Sequence, residues 1–196
     1  RQAIMLVQGT INTDGTEIIS AYTAAMRIEG FANSFSDSGS AATSVLVSQN
    51  YSTGNAARTR DSFRCSLRFT FILGTICAVT LYFSAPVTVK AMLGNAASHP
   101  FMAKSGIIYL QLISFFYPLC YTGGTFTGTY NGLGKMVLTL AGSTLQIALH
   151  VILTWFFFPH FELAAPAIAT GIGWLMANLF WLICLTRLRR QSLLQA

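Results

Sequence analysis

The chain has 196 residues, of which 53% are hydrophobic and 9% charged, and a formal net charge of +6. A water-soluble domain carries about 25% charged residues, so this composition excludes an ordinary soluble enzyme and places most of the chain in lipid. There is length for five or six membrane spans packed as one bundle, and the positive charge must be located before it says anything about partners.

Residue 1 is Arg, and the first apolar stretch, Ile4 to Ile11, is too short to cross a bilayer. It lacks the small-residue cleavage site of a signal peptide and runs into Asn12-Thr13-Asp14-Gly15, a turn. Residues 2–12 are read as the tail of a helix whose beginning is missing, and the chain is expected to be a fragment.

Residues 17–50 form the helix on which the rest is organised. The stretch has no Pro and holds three charges well inside it, Arg27, Glu29 and Asp37. With about 100° per residue and Glu29 as origin, Tyr22, Asn33, Ser36, Asp37, Ser40 and Ser44 fall within about 80° of it. Ile28, Phe31, Phe35, Ala42, Val45 and Leu46 occupy the other side. Carboxylates in mid-bilayer are costly unless they face a bundle interior, a partner or water, which makes Glu29 and Asp37 functional candidates. The alternative is that the stripe packs on a neighbouring helix, and for any single Ser packing is the preferred reading. Arg27 points about 160° away from Glu29 and is read as structural.

A loop signal at Tyr51–Asn55 precedes Arg58, Arg60, Arg64 and Arg68. These lie between two spans without an interleaved aromatic platform, so they read as a membrane-flanking loop and not as a nucleic-acid contact. The next helix is expected over 62–87, and its stretch from Phe69 to Val89 is free of charge. Residues 105–134 are again uncharged, and Pro118 should kink that helix. Gly124, Gly128 and Gly132 are spaced four apart, a small-residue ladder that lets a neighbouring helix approach closely and is compatible with a pivot. The span 136–159 places Thr139, Ser143, Gln146, His150 and Thr154 on one face, a second polar stripe. A lone His in such a place is more often a hydrogen-bonded structural group than a proton carrier. Trp155 to Phe158 suggest an interfacial aromatic belt. The last span is 163–187, followed by Arg187, Arg189 and Arg190.

Alternate loops place Arg58, Arg60, Arg64, Arg68, Lys135 and the terminal arginines on one side, against Lys90 and Lys104 on the other. The positive-inside rule makes the first side cytoplasmic, with the C-terminus, and leaves Asp14, Glu17 and Glu162 outside. The positive charge is topological and no nucleic-acid partner is implied. The expected fold is all-α, a polytopic transmembrane bundle in which residues 1–196 form a single lobe.

Catalytic and metal signatures are absent. The four Cys (Cys65, Cys77, Cys120, Cys184) have no CxxC spacing, and His99, His150 and His160 lie in different segments. Glu29 and Asp37 are two turns apart on one helix, roughly 12 Å along the axis. That is too far to share one proton as an intramembrane aspartyl hydrolase requires. The expectation is a non-enzyme without metal or cofactor. A non-transporting membrane subunit is a further alternative; it predicts that the polar stripes are buried helix contacts with no cavity beside Glu29.

The run AAMRIEGFANSFSDSGSAATSVLVSQNYSTGNAARTR resembles multidrug and toxic compound extrusion (MATE) transporters where one helix ends and a cytoplasmic loop begins. The residues that carry the likeness are Gln49-Asn50, Gly54 and Arg58, with Asn55 a departure from the family's Gly-Ala-like turn. YNGLGKMVLTLAGS and FELAAPAIATGIGW resemble the family's Gly-rich helix end and the start of a lobe's last helix. The resemblance implies one six-helix lobe with its first helix truncated, the second lobe (helices seven to twelve) by its YTAAMRIE phrasing and basic tail. It implies the missing N-terminal lobe as a partner and a bacterial inner membrane as the location. It further implies secondary active export of small organic cations or amphipathic drugs in exchange for H+ or Na+. Glu29 and Asp37 would be the acids, with Asn33, Tyr22 and Gln146 as polar or aromatic neighbours and Pro118 with the Gly ladder as hinge. A carboxylate withdrawn from water can take up a proton near neutral pH, so ion and cargo would compete for one negative charge. Tyr22, Phe31, Tyr109 and Tyr117 could offer rings to a flat cation, although core packing is the safer reading of each. A lipid-linked oligosaccharide or lipid-precursor flippase shares the architecture but would need a strongly cationic cavity.

Overall fold

The computed structural model describes residues 16–93, 100–161 and 163–194, and all the elements there are helical. They are α1 (Thr16–Ser52), α2 (Ala56–Leu93), α3 (Pro100–Ser114), α4 (Tyr117–Gly132), α5 (Met136–Phe161) and α6 (Ala164–Leu194). The segment 2–12, expected to end a first helix, lies outside the described residues. Helix α2 is longer at both ends than the uncharged stretch that marks it in the sequence, because its Arg-bearing first turns continue the helix beyond the apolar span.

The region 105–134 is not one kinked helix but two helices, α3 and α4, bent by 51° at Phe115-Phe116. Pro118 falls in the first turn of α4, where its missing N–H is one of the helix's unpaired donors anyway. Phe116 fills the space beside Gly171 of α6, where any side chain would collide with its ring. By length and composition α2, α5 and α6 can each cross a membrane, and the bent α3–α4 pair is long and apolar enough for a fourth if it crosses as one span. Helix α1, with 37 residues, is long enough but carries the polar stripe.

Helix α4 is the centre of the bundle. It packs on α1, α2 and α6, and touches α5, while α5 leans chiefly on α6. The Gly ladder explains the closest of these contacts. A Cβ at Gly124 would sit 2.9 Å from the Ser36 hydroxyl, one at Gly128 would overlap the Ser40 carbonyl, and one at Gly132 would lie 2.6 Å from the Ser44 carbonyl. The two ladders, 124/128/132 and 36/40/44, therefore interlock rung for rung, and α1 and α4 run parallel. Ser40 and Thr127 hydroxyls are bonded across the seam at 3.0 Å. On its other face α4 meets α2 through a buried Thr70–Thr125 hydroxyl pair at 2.6 Å and through Gly74, which lies against Pro118 and Tyr121.

Phe31, Phe69, Phe83, Val137, Trp155 and Phe156 are exposed, and form the surface that hydrocarbon would cover. The turns between α1 and α2 and between α4 and α5 each close on a glycine with positive φ, Gly54 at 70° and Gly134 at 71°. Asn55 accepts the Arg58 N–H at 2.9 Å and so caps α2, which gives the departure from the Gly-Ala-like turn a structural purpose.

Candidate functional site

The polar stripe of α1 divides into two halves with different work. Its lower half, Ser36, Ser40 and Ser44, packs on the Gly ladder as described. Its upper half, with Tyr22, Glu29 and Asn33, opens into a cavity of about 390 Å³ that also takes in Ser36 and Asp37. The stripe on α5 reaches the same cavity through Ser143, Gln146 and His150, so two polar faces that are separate in sequence meet in one place. All five sequence-predicted site residues, Glu29, Asp37, Asn33, Tyr22 and Gln146, line it. Of the three hinge glycines, Gly124 lines it and Gly128 and Gly132 do not; Pro118 lies at the bend below.

Glu29 is buried, and its Oε1 has no hydrogen-bond partner. Tyr109 of α3 supplies the neighbouring hydroxyl, and its ring meets Tyr22 edge to face at 5.5 Å. Asp37, two turns along α1, is exposed, so the two carboxylates occupy different environments on one cavity wall. Arg27 is exposed and forms no ion pair among the described residues, so it neutralises neither acid. Asn33 accepts a weak bond from the Cys120 thiol at 3.7 Å.

The opposite wall was not legible as a site in the sequence. Thr170, Trp174, Asn178 and Trp181 of α6 line the cavity, at spacings of four, four and three that put them on one helix face. Each is held. Thr170 bonds His150 Nδ1 at 2.7 Å and donates to the Pro166 carbonyl at 2.8 Å. Asn178 donates to the carbonyls of Leu119 (2.9 Å) and Trp174 (2.7 Å), and its Oδ1 lies 3.3 Å from the Thr122 hydroxyl. Trp181 Nε1 donates to the Leu138 carbonyl at 2.9 Å, with Gly142 leaving room for its ring. Gly173 lets α6 approach the Gln146 backbone, where a Cβ would lie at 3.1 Å.

Other residues of the sequence reading lie elsewhere. Thr139 bonds Asn131 at 3.0 Å outside the cavity, and Thr154 is buried with its hydroxyl unpartnered. Tyr22 and Tyr109 do border the cavity, whereas Phe31 is 71% exposed on the outer surface and Tyr117 is buried in the core against Trp174. Phe31 is thus corrected from a ring for cargo to an outward-facing one; it lies about 200° around α1 from Glu29. The four Cys are free thiols, and no group of three metal-ligating side chains gathers among the described residues.

The described lining therefore combines two carboxylates, neutral polar groups and aromatic rings, with no Lys or Arg. A cavity of that character favours a cation. A sequence model of the MatE family matches residues 2–156. The chain belongs to the MatE family. The MatE assignment agrees with the fold, which is similar to two solved structures. One is the inward-facing conformation of a multidrug resistance MATE family transporter of the MOP superfamily, at 16% identity and a TM-score of 0.79. The other is a MATE crystallised in a bent conformation, at 15% identity and a TM-score of 0.83. Each comparison covers 91% of this MatE chain and 40% of the other, so the chain spans well under half the length of either structure. At these identities the likeness is one of fold. No curated protein matches the sequence.

Proposed function

We propose that this chain is the C-terminal lobe of a secondary active transporter that exports small organic cations or amphipathic drugs by antiport against H+ or Na+. The observation that carries this reading is the convergence of the α1 and α5 polar faces and the α6 aromatic face on one cavity, with buried Glu29 inside it. An ionised carboxylate there has no basic side chain to balance it, and charge in such surroundings is expensive until a cation arrives. A cationic cargo supplies that balance from one side of the membrane. A proton or Na+ arriving at Glu29 cancels the same negative charge and releases the cargo on the other side. Trp174, Trp181, Tyr22 and Tyr109 give the cargo faces of aromatic ring to rest on, and exposed Asp37 attracts it on entry.

The lobe would work with an N-terminal lobe, the two rocking about a central site, in a bacterial inner membrane with the C-terminus cytoplasmic. The interlocked ladder of α1 and α4 makes those two helices move as one unit, so bending is assigned to the α3–α4 break instead of to the glycines. A pyrophosphate-bearing lipid cargo is not favoured, because the described lining offers it no Lys or Arg.

The test is transport of a fluorescent organic cation into inside-out vesicles from a drug-sensitive host expressing the full-length protein. Wild type is compared with Glu29→Gln and Asp37→Asn under a proton gradient and then a sodium gradient. Glu29→Gln is expected to insert normally and lose coupled transport, Asp37→Asn to transport with weaker apparent affinity for cargo. Wild-type rates in both variants would assign the cavity to packing and remove Glu29 from the mechanism.

A further inference from the structure

Between α2 and α6, away from the polar cavity, α4 borders a quite different concavity. It is a groove of about 460 Å³ between α2 and α6, with Leu119 and buried Phe126 of α4 as its floor. Leu67 and Phe71 form one wall, and Leu179 and Leu182 the other. The two polar groups within reach are already occupied. Thr122 donates to the Pro118 carbonyl at 2.9 Å, and Asn178, which borders both this groove and the polar cavity, has both amide hydrogens donated to carbonyls. Nothing in the floor asks for water, so the groove suits hydrocarbon.

One charged side chain lines it, Arg68. Arg68 is exposed and unpaired among the described residues, where the one ion pair is Arg64–Asp61 at 3.9 Å. It also stands immediately before the uncharged stretch Phe69–Val89, the level at which lipid phosphates lie. A guanidinium at headgroup depth with an apolar groove leading inward from it matches a molecule that is anionic at one end and aliphatic beyond.

We propose that this groove is a site for one anionic phospholipid, its phosphate held by the Arg68 guanidinium and an acyl chain lying along α4 between α2 and α6. Arg suits this role because its planar fork pairs with two phosphate oxygens at once. A recessed floor removes more of one chain from its neighbours than a smooth helix face does, which distinguishes the site from general lipid contact. The occupant would pack against the α4–α6 seam that walls the polar cavity, with Asn178 as the shared partition.

The purified full-length protein is reconstituted in phosphatidylcholine vesicles containing a trace of phosphatidylglycerol with a photoactivatable diazirine on one acyl chain, then irradiated and digested. Label is expected to concentrate on the peptides holding Phe71 and Leu179–Leu182, relative to the peptide holding Phe83, an exposed apolar site on α2 that borders a separate, smaller concavity lined by no basic side chain. Unlabelled phosphatidylglycerol should compete better than phosphatidylcholine, and Arg68→Gln should reduce that preference about fivefold. Leu179→Trp, which fills the groove, should lower groove labelling while leaving Phe83 unchanged; a poorly inserted variant would alter both. Even labelling along all exposed helix faces overturns the proposal, as does groove labelling indifferent to both substitutions. Protection of the groove by another part of the protein, or by a second copy, overturns it too.

Discussion

The interlocked ladders of α1 and α4 make a quantitative claim through a pair of glycine substitutions. Gly128→Ala places a methyl group against the Ser40 carbonyl, with the Thr43 Cβ 3.0 Å away. Both obstacles belong to backbone or to the root of a side chain, so neither can swing aside and the helices must part. Forcing extra volume into such a contact costs about 1–3 kcal/mol. Replacing Gly by Ala within a helix returns about 1 kcal/mol of propensity. The net expectation is a loss of about 0–2 kcal/mol. Gly30→Ala is the matched control, because on the same bundle its new Cβ meets nothing within 4 Å. It should gain the propensity alone, about 1 kcal/mol.

The two variants should therefore differ by about 1–3 kcal/mol, or roughly 5- to 150-fold in unfolding equilibrium. Unfolding in mixed micelles with rising denaturing detergent, followed by helical circular dichroism, reads the difference as opposite shifts of the midpoint. Gly128→Leu should extend the loss, since the side chain would have to enter the space of the Ser40 rung. If Gly128→Ala and Gly30→Ala shift stability by the same amount and sign, the α1–α4 seam is not closed as described. The division of the α1 stripe into a packing half and a cavity half would fall with it.

Other substitutions separate the cavity's supports from its contents. Trp181→Phe removes the Nε1 bond to the Leu138 carbonyl and should cost about 1–3 kcal/mol in the same assay, with transport affinity weakened further. Tyr121→Phe loses the 2.8 Å bond to the Ala32 carbonyl; about 1 kcal/mol is expected, with transport kinetics unaltered because the ring lies outside the cavity. Thr154→Val should be neutral or stabilising by up to about 1 kcal/mol, since the Thr154 hydroxyl is buried without a partner. Glu29→Gln should match or exceed wild-type thermal stability while failing in transport. Destabilisation by that change would instead mark Glu29 as a structural group.

Much of this arrangement was legible in the sequence because helix periodicity is a local property. Counting about 100° per residue from Glu29 put Asn33, Asp37 and Tyr22 on one face, and the same counting on α5 put Gln146 beside His150. Neither count says that the two faces meet, since that depends on how α5 and α6 are held, and the glycines that decide it act at a distance in sequence. Gly142 admits Trp181, Gly171 admits Phe116, and Gly173 admits the Gln146 backbone. Nothing local to Gly142, Gly171 or Gly173 in the sequence names the group each one faces.

The α6 wall was missed for a related reason. Thr170, Trp174, Asn178 and Trp181 carry no charge in an otherwise apolar helix, and their shared face shows only when the four are plotted together at helical spacing. The polar atoms of Thr170, Asn178 and Trp181 are already committed, to Pro166 or His150, to Leu119, and to Leu138 respectively. Side chains fixed in this way present rings and amide edges to the cavity in set positions. The carboxylate of Glu29 is the contrasting group, buried with one oxygen unpartnered. On the proposed function, a wall in which neighbouring polar groups are satisfied and one acid is not would direct an entering cation toward that acid. Filling the α6 wall with apolar substitutes such as Asn178→Leu should therefore alter which cations are carried before it alters whether the protein is coupled to an ion gradient. Competition among several fluorescent cations in the vesicle assay would show it as a changed order of affinities at unchanged ion dependence, and loss of ion dependence with affinities intact would reverse the assignment of the two walls.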